Sequence, residues 1–152
     1  AFHKCYNAGI TPSGTVILGL AGNEKELSKR HMIDTAKLIN RLSPNNFINN
    51  ESLPVWYISC LALMLIPGTP MHKATEEKIF TPLTADEILL EMKIFLENIS
   101  DDVKNCVFRS NHASNYLALK GKLGRNKLKL LEQVNYSLEN KSNIRPEHYR
   151  AL

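Results

Sequence analysis

Thr15-Val16-Ile17-Leu18-Gly19-Leu20-Ala21-Gly22-Asn23-Glu24 decides how the chain is read. Residues 15–20 are almost continuously apolar, and three of them, Thr15, Val16 and Ile17, are β-branched. That pattern predicts a strand buried on both faces, as in a parallel sheet. The strand runs into a turn with glycines at 19 and 22, and Asn23, with Glu26 three residues on, is placed to cap a helix. A second stretch answers it, Leu61-Ala62-Leu63-Met64-Leu65-Ile66-Pro67-Gly68-Thr69-Pro70. It too is an apolar run ended by a tight turn. Two such strand ends, separated by a helical segment, predict parallel neighbours whose C-terminal edges share one ligand site.

Upstream, residues 2–9 read as the last turns of a helix closed by Gly9, and Thr11-Pro12-Ser13-Gly14 is turn chemistry. Downstream, Met32, Ala36, Ile39 and Leu42 form a helical stripe. Pro44 and the Asn-rich run end it, and residues 45–56 read as a loop containing Pro54 and Trp56. Residues 57–66 read as the second strand and residues 72–82 as a loop. Thr84-Ala85-Asp86-Glu87 is a capping box before Ile88, Leu89, Met92, Phe95, Leu96 and Ile99. A short strand over 105–108 leads into Ser110-Asn111-His112-Ala113-Ser114-Asn115-Tyr116, a polar cluster read as a helix start that Gly121 ends. Asn126 is placed to cap a last helix carrying Leu128, Leu131, Val134 and Leu138 on one face. The alternation predicts an α/β fold with two or three parallel strands and flanking helices. So few strands leave edges and faces uncovered, and a helix end opens the chain, so a fragment of a larger barrel or sheet is expected.

The 152 residues amount to one domain. At 43% hydrophobic and 22% charged, they have the balance of an ordinary globular protein. The net charge of +4 and pI of about 9.0 are only mildly basic. Cys5, Cys60 and Cys106 are odd in number and show no spacing pattern, which fits reduced thiols in a cytoplasmic protein; Cys60 and Cys106 read as buried and inert. The apolar run over residues 60–66 is far too short to span a bilayer.

The turn at Gly19 is neither a dinucleotide fingerprint nor a phosphate-binding loop, because G-x-G-x-x-G and Gly-Lys-Ser/Thr are both missing. Its glycines either let backbone amides approach a ligand or only make the turn. His112, between Asn111 and the Ser114-Asn115 pair, either orients a substrate or belongs to a helix-capping cluster. His3, His31, His72 and His148 lack paired metal-ligand spacing. Lys120, Lys122, Arg125, Lys127 and Lys129 gather around the start of the last helix, either as a solvated face or as a patch for phosphate or an acidic partner.

Taken together, Gly19-Leu20-Ala21-Gly22-Asn23-Glu24 and Pro67-Gly68-Thr69-Pro70 resemble the ends of the last two core strands of radical S-adenosylmethionine enzymes. The lead-in Ala8-Gly9-Ile10 and the pair Thr35-Ala36 fit as well. So does the tail, with Phe108-Arg109-Ser110-Asn111-His112-Ala113-Ser114-Asn115-Tyr116-Leu117, Gly121-Lys122-Leu123 and Arg145-Pro146-Glu147. The resemblance implies the C-terminal portion of a partial (β/α)6 TIM-like barrel. Residues 1–100 would be its last part and residues 101–152 a mostly helical extension.

It also implies a parent enzyme that holds a [4Fe–4S] cluster, cleaves S-adenosylmethionine reductively and starts radical chemistry on an unknown substrate. Ile17, Gly19, Leu20, Met64, Leu65 and Pro67 would lie against the adenine. Asn111, His112 and Asn115 would stand on the substrate side. The cluster-binding Cys-x-x-x-Cys-x-x-Cys is absent from this chain, so no cofactor and no activity are expected of it alone. Where the family has a proline in the first turn, this chain has Ala21. The expected partner is the missing N-terminal part of the barrel, with no membrane, and an exposed sheet edge is a place where a second copy could pair. The alternative is a non-catalytic interaction module that uses the basic helix face.

Overall fold

In the computed structural model, which describes residues 1–46 and 53–151, burial alternates along every strand. In β1 (Ser13–Leu18), Val16 and Leu18 are buried while Ser13 and Thr15 are exposed. In β2 (Trp56–Ala62), Trp56, Ile58, Cys60 and Ala62 are buried while Tyr57, Ser59 and Leu61 are not. In β3 (Cys106–Arg109), Cys106 and Phe108 are buried. The strand expected to be buried on both faces is therefore covered on one.

The strands stand in the order β1-β2-β3-β4, where β4 is Lys120–Lys122. β1, β2 and β3 run parallel, and β4 joins β3 antiparallel. The α/β fold with flanking helices is as expected, but the sheet is mixed and open. Its fourth strand falls where a helix was expected to end.

The helices supply the covering layer. α1 (Phe2–Asn7) ends with Gly9 at φ +69° and sends Phe2 against Trp56, ring centroids 6.0 Å apart. α2 (Lys25–Leu42) buries Met32, Ala36 and Ile39. α4 (Ala85–Glu97) buries Ile88, Leu89, Met92, Phe95 and Leu96, and Phe95 stacks 6.1 Å from Phe108 of β3. α5 (Lys127–Glu139) buries Leu130 and Val134. All of these join the buried side of the strands in one apolar cluster. Consecutive strands lie side by side, and the helices that bury apolar residues pack on one face.

Local chemistry accounts for the boundaries. The Thr84 capping box forms as expected: Thr84 Oγ accepts from Glu87 N–H, and the Glu87 carboxylate accepts from Thr84 N–H at 2.8 Å. Asn23 does not cap α2, whose N-cap is Glu24 without a side-chain bond. Asn126 stands at the N-cap of α5, but its Oδ1 accepts from Lys122 N–H at 2.8 Å. The segment expected as a loop over 72–82 opens instead with α3 (Pro70–Glu76), capped by the Thr69 hydroxyl with Pro70 in its first turn. Residues 110–119 form turns rather than a helix start. The loop expected over 45–56 lies partly outside the described residues; Pro44–Asn46 is a 3-10 turn and Trp56 begins β2. Among the described residues, no helix is long and apolar enough to cross a membrane.

Candidate functional site

The C-terminal ends of β1 and β2 open on a cavity of about 320 Å3. Gly19 continues β1 into it, and Leu63, Met64 and Leu65 continue β2. Pro82, Leu83 and Ile88 come from the start of α4, while Tyr116, Glu147 and Arg150 close the remaining side. One wall is thus apolar side chain and turn backbone, and the other is polar.

The turn is fixed from behind. Gly19 has φ +85°, and its N–H donates to Glu91 Oε2 at 2.6 Å. Glu91 Oε1 accepts from the Ser28 hydroxyl at 2.6 Å. One carboxylate therefore joins the end of β1, the first turn of α2 and the middle of α4. Glu91 is only 1% exposed, and burial pushes its carboxyl above the ordinary range, outweighing the bonds from Ser28 and Gly19 and the charge of His31. A Cβ on Gly19 would lie 3.0 Å from Ile88 Cδ1 and 3.5 Å from Leu63 Cβ, both residues of the cavity wall. Gly22 closes the turn through its N–H to Gly19 O at 3.1 Å. A Cβ there would stand 2.8 Å from Thr81 O.

The polar wall is built on Arg150. Its Nε donates to Ser114 O at 2.7 Å and its Nη2 to Leu63 O at 2.9 Å. Its Nη1 donates to the Tyr116 hydroxyl oxygen at 2.7 Å and to both Glu147 oxygens at 2.7 and 2.9 Å. The Tyr116 hydroxyl in turn donates to Glu147. Burial, then the Glu147 bond, pushes the Tyr116 phenol up to about 12. Burial also raises Glu147, but the bonds from Tyr116 and Arg150 and the guanidinium charge outweigh it and leave this carboxyl below its ordinary range. Arg145 donates to the carbonyls of Ala113 at 2.6 Å and Asn115 at 3.0 Å. Two arginines of the C-terminal tail thus pin the 112–116 turn.

Of the residues expected against an adenine, Gly19, Met64 and Leu65 meet in this cavity. Ile17 and Leu20 line a separate depression of about 330 Å3 beside α2, and Pro67 is exposed in the turn before α3. On the expected substrate side, Asn111 and His112 are exposed, and His112 Nδ1 lies 3.0 Å from Ser114 Oγ. Asn115 is buried, and its Nδ2 donates to Cys60 O at 2.8 Å. Its buried Oδ1 has no hydrogen-bond partner among the described residues. Glu91, Tyr116, Glu147 and Arg150 were not among the expected site residues. For Glu91 a signal exists, a carboxylate within the apolar stripe of α4. Nothing local marks Arg150, whose partner Leu63 lies 87 positions earlier.

The cysteines do not fit an iron–sulfur cluster. Cys60 and Cys106 are fully buried, and burial pushes both thiols up, Cys106 to about 12, the reverse of the thiolate such a cluster needs. Among the described residues no three His, Cys, Asp or Glu side chains gather as metal ligands. Comparison with protein-family models, with curated proteins and with solved structures found no match.

Proposed function

We propose that the chain is the C-terminal portion of a partial (β/α)6 barrel of the radical S-adenosylmethionine class, and that its cavity is one wall of the nucleoside site. The observation that carries this reading is the meeting of Gly19, Met64 and Leu65 at the C-terminal ends of the parallel strands β1 and β2. In this reading Gly19 and its neighbours offer backbone to a purine edge. Met64 and Leu65 cover its face and exclude water. Glu91 holds the turn in place from behind. The bound nucleoside would supply the radical chemistry; this chain contributes shape and orientation, and the cluster ligands belong to the rest of the barrel. A cytoplasmic setting with reduced thiols belongs to the same reading.

The outer edge of β1, unpaired among the described residues, is where the preceding strand of the barrel would add. In a parallel ladder, alternate residues turn their backbone groups to opposite sides. Tyr57 N–H donates to Pro12 O and Leu63 N–H to Leu18 O, so Ser13, Thr15 and Ile17 turn theirs outward. The test is the coding sequence upstream of Ala1. A Cys-x-x-x-Cys-x-x-Cys encoded there supports the reading. A start codon directly before Ala1, with no such motif in frame, overturns it.

A further inference from the structure

The uncovered face of the sheet carries cations that have no ion-pair partner among the described residues. Register places Ser13, Tyr57, Val107 and Lys122 in one row across the four strands, and Thr15, Ser59, Arg109 and Lys120 in the next. None of the eight is buried, and none is acidic. Arg109, Lys120 and Lys122 take part in no ion pair among the described residues. Arg109 and Lys120 are direct cross-strand partners, and like charges held opposite one another destabilise a sheet unless an anion lies between them. Lysines on an edge strand deter strand pairing, but that does not account for Arg109 on the inner strand β3. The stripe continues past β4, where Lys122, Arg125 and Lys104 line a depression of about 350 Å3. Among the described residues lining it, Asp101 is the one carboxylate, and it is engaged by Lys127 at 2.6 Å. That bond also removes Lys127 from the basic helix face.

We propose that this face binds single-stranded nucleic acid, with phosphates over Arg109, Lys120 and Lys122 and a base stacked on Tyr57. Tyr57 is 39% exposed and lies in the same row as Lys122. An open sheet bearing an aromatic ring beside cations suits an extended strand whose bases are free to stack. An acidic peptide would meet the same charges but gain nothing from the ring, so the ring favours nucleic acid. In the barrel reading this is the concave face, with Tyr57 near the N-terminal end of β2 and away from the cavity, and the binding does not rest on that reading.

Fluorescence anisotropy of the chain with a labelled oligouridylate of about 12 nucleotides tests this, at about 50 mM salt. Saturable binding is expected. Replacing Arg109, Lys120 and Lys122 together by Gln should weaken it about tenfold or more and flatten the plot of log K against log salt by about 2. Tyr57→Ala should weaken it about fivefold, while Tyr57→Phe keeps it. Replacing Lys29, Arg30 and Lys37 on α2 by Gln removes the same charge and should leave binding within about twofold. Three results would overturn the proposal: no binding by the unaltered chain, equal loss in the α2 variant, or a polyglutamate peptide binding as tightly with no loss in Tyr57→Ala. The outcome is independent of whether a cluster motif lies upstream, so failure here and failure of the barrel reading are distinguishable.

Discussion

Gly19 combines a backbone angle that L side chains rarely adopt with a wall of the cavity that a Cβ would crowd. Gly19→Ala should cost about 1–2 kcal/mol in chemical denaturation. An unchanged midpoint would mean that the turn relaxes freely. Glu91 makes a separate prediction in pH. Its folded carboxyl titrates above the ordinary 4.5, so between that value and the folded value the native state holds the proton and the unfolded chain has lost it. Stability should therefore fall as pH rises through that window, and Glu91→Gln, with no proton to lose, should stay flat there. Parallel curves for the two proteins would show that Glu91 is not desolvated. Gly19 was legible in the sequence because glycines after an apolar run mark a turn. The role of Glu91 is not legible there, since its partners Gly19 and Ser28 come from elements brought together only by packing.

At the scale of elements, α4 was the most legible because its cap, its stripe and its length all agree. Thr84→Ala should cost about 1 kcal/mol of stability, measured against Asp86→Ala, which leaves the box intact. A loss no larger than that of the control would show the box to be energetically idle. α3 carries no apolar period in the sequence, because none of its residues is buried. Its start was nevertheless written in Thr69-Pro70, a cap followed by a first-turn proline. β1 departs from its sequence pattern in the other direction. A continuous apolar run fits a strand buried on both faces, yet Ile17 lies on the side the helices do not cover, and its neighbour Thr15 is exposed there.

For the molecule as a whole, the tail completes the site. Arg150 gathers Ser114, Tyr116, Glu147 and Leu63 around one guanidinium, so Arg150→Ala should free the tail and lower stability by about 2 kcal/mol. Protection of the Arg150 and Ala151 amides in hydrogen exchange should fall with it; if it does not, the tail is held by other contacts. Tyr116 titrates at about 12 in the fold against 10.0 as a free phenol. The stability this contributes is whole below pH 10 and is lost as pH rises toward the folded value, a loss that Tyr116→Phe should not show. No spacing rule could have assembled this cluster, because its members lie as far as 87 positions apart. The α/β order, by contrast, was readable from the alternation of strands and helices.

The proposed role of this cavity is as part of a nucleoside site in a radical S-adenosylmethionine barrel. The most direct measurement uses the protein expressed from the start of its reading frame and reconstituted without oxygen with iron and sulfide. After reduction with dithionite, the formation of 5′-deoxyadenosine from S-adenosylmethionine is measured. The account predicts iron–sulfur absorbance and cleavage, with cleavage lowered when Met64→Glu places a charge in the apolar wall. A protein that builds no cluster and leaves S-adenosylmethionine intact would contradict it.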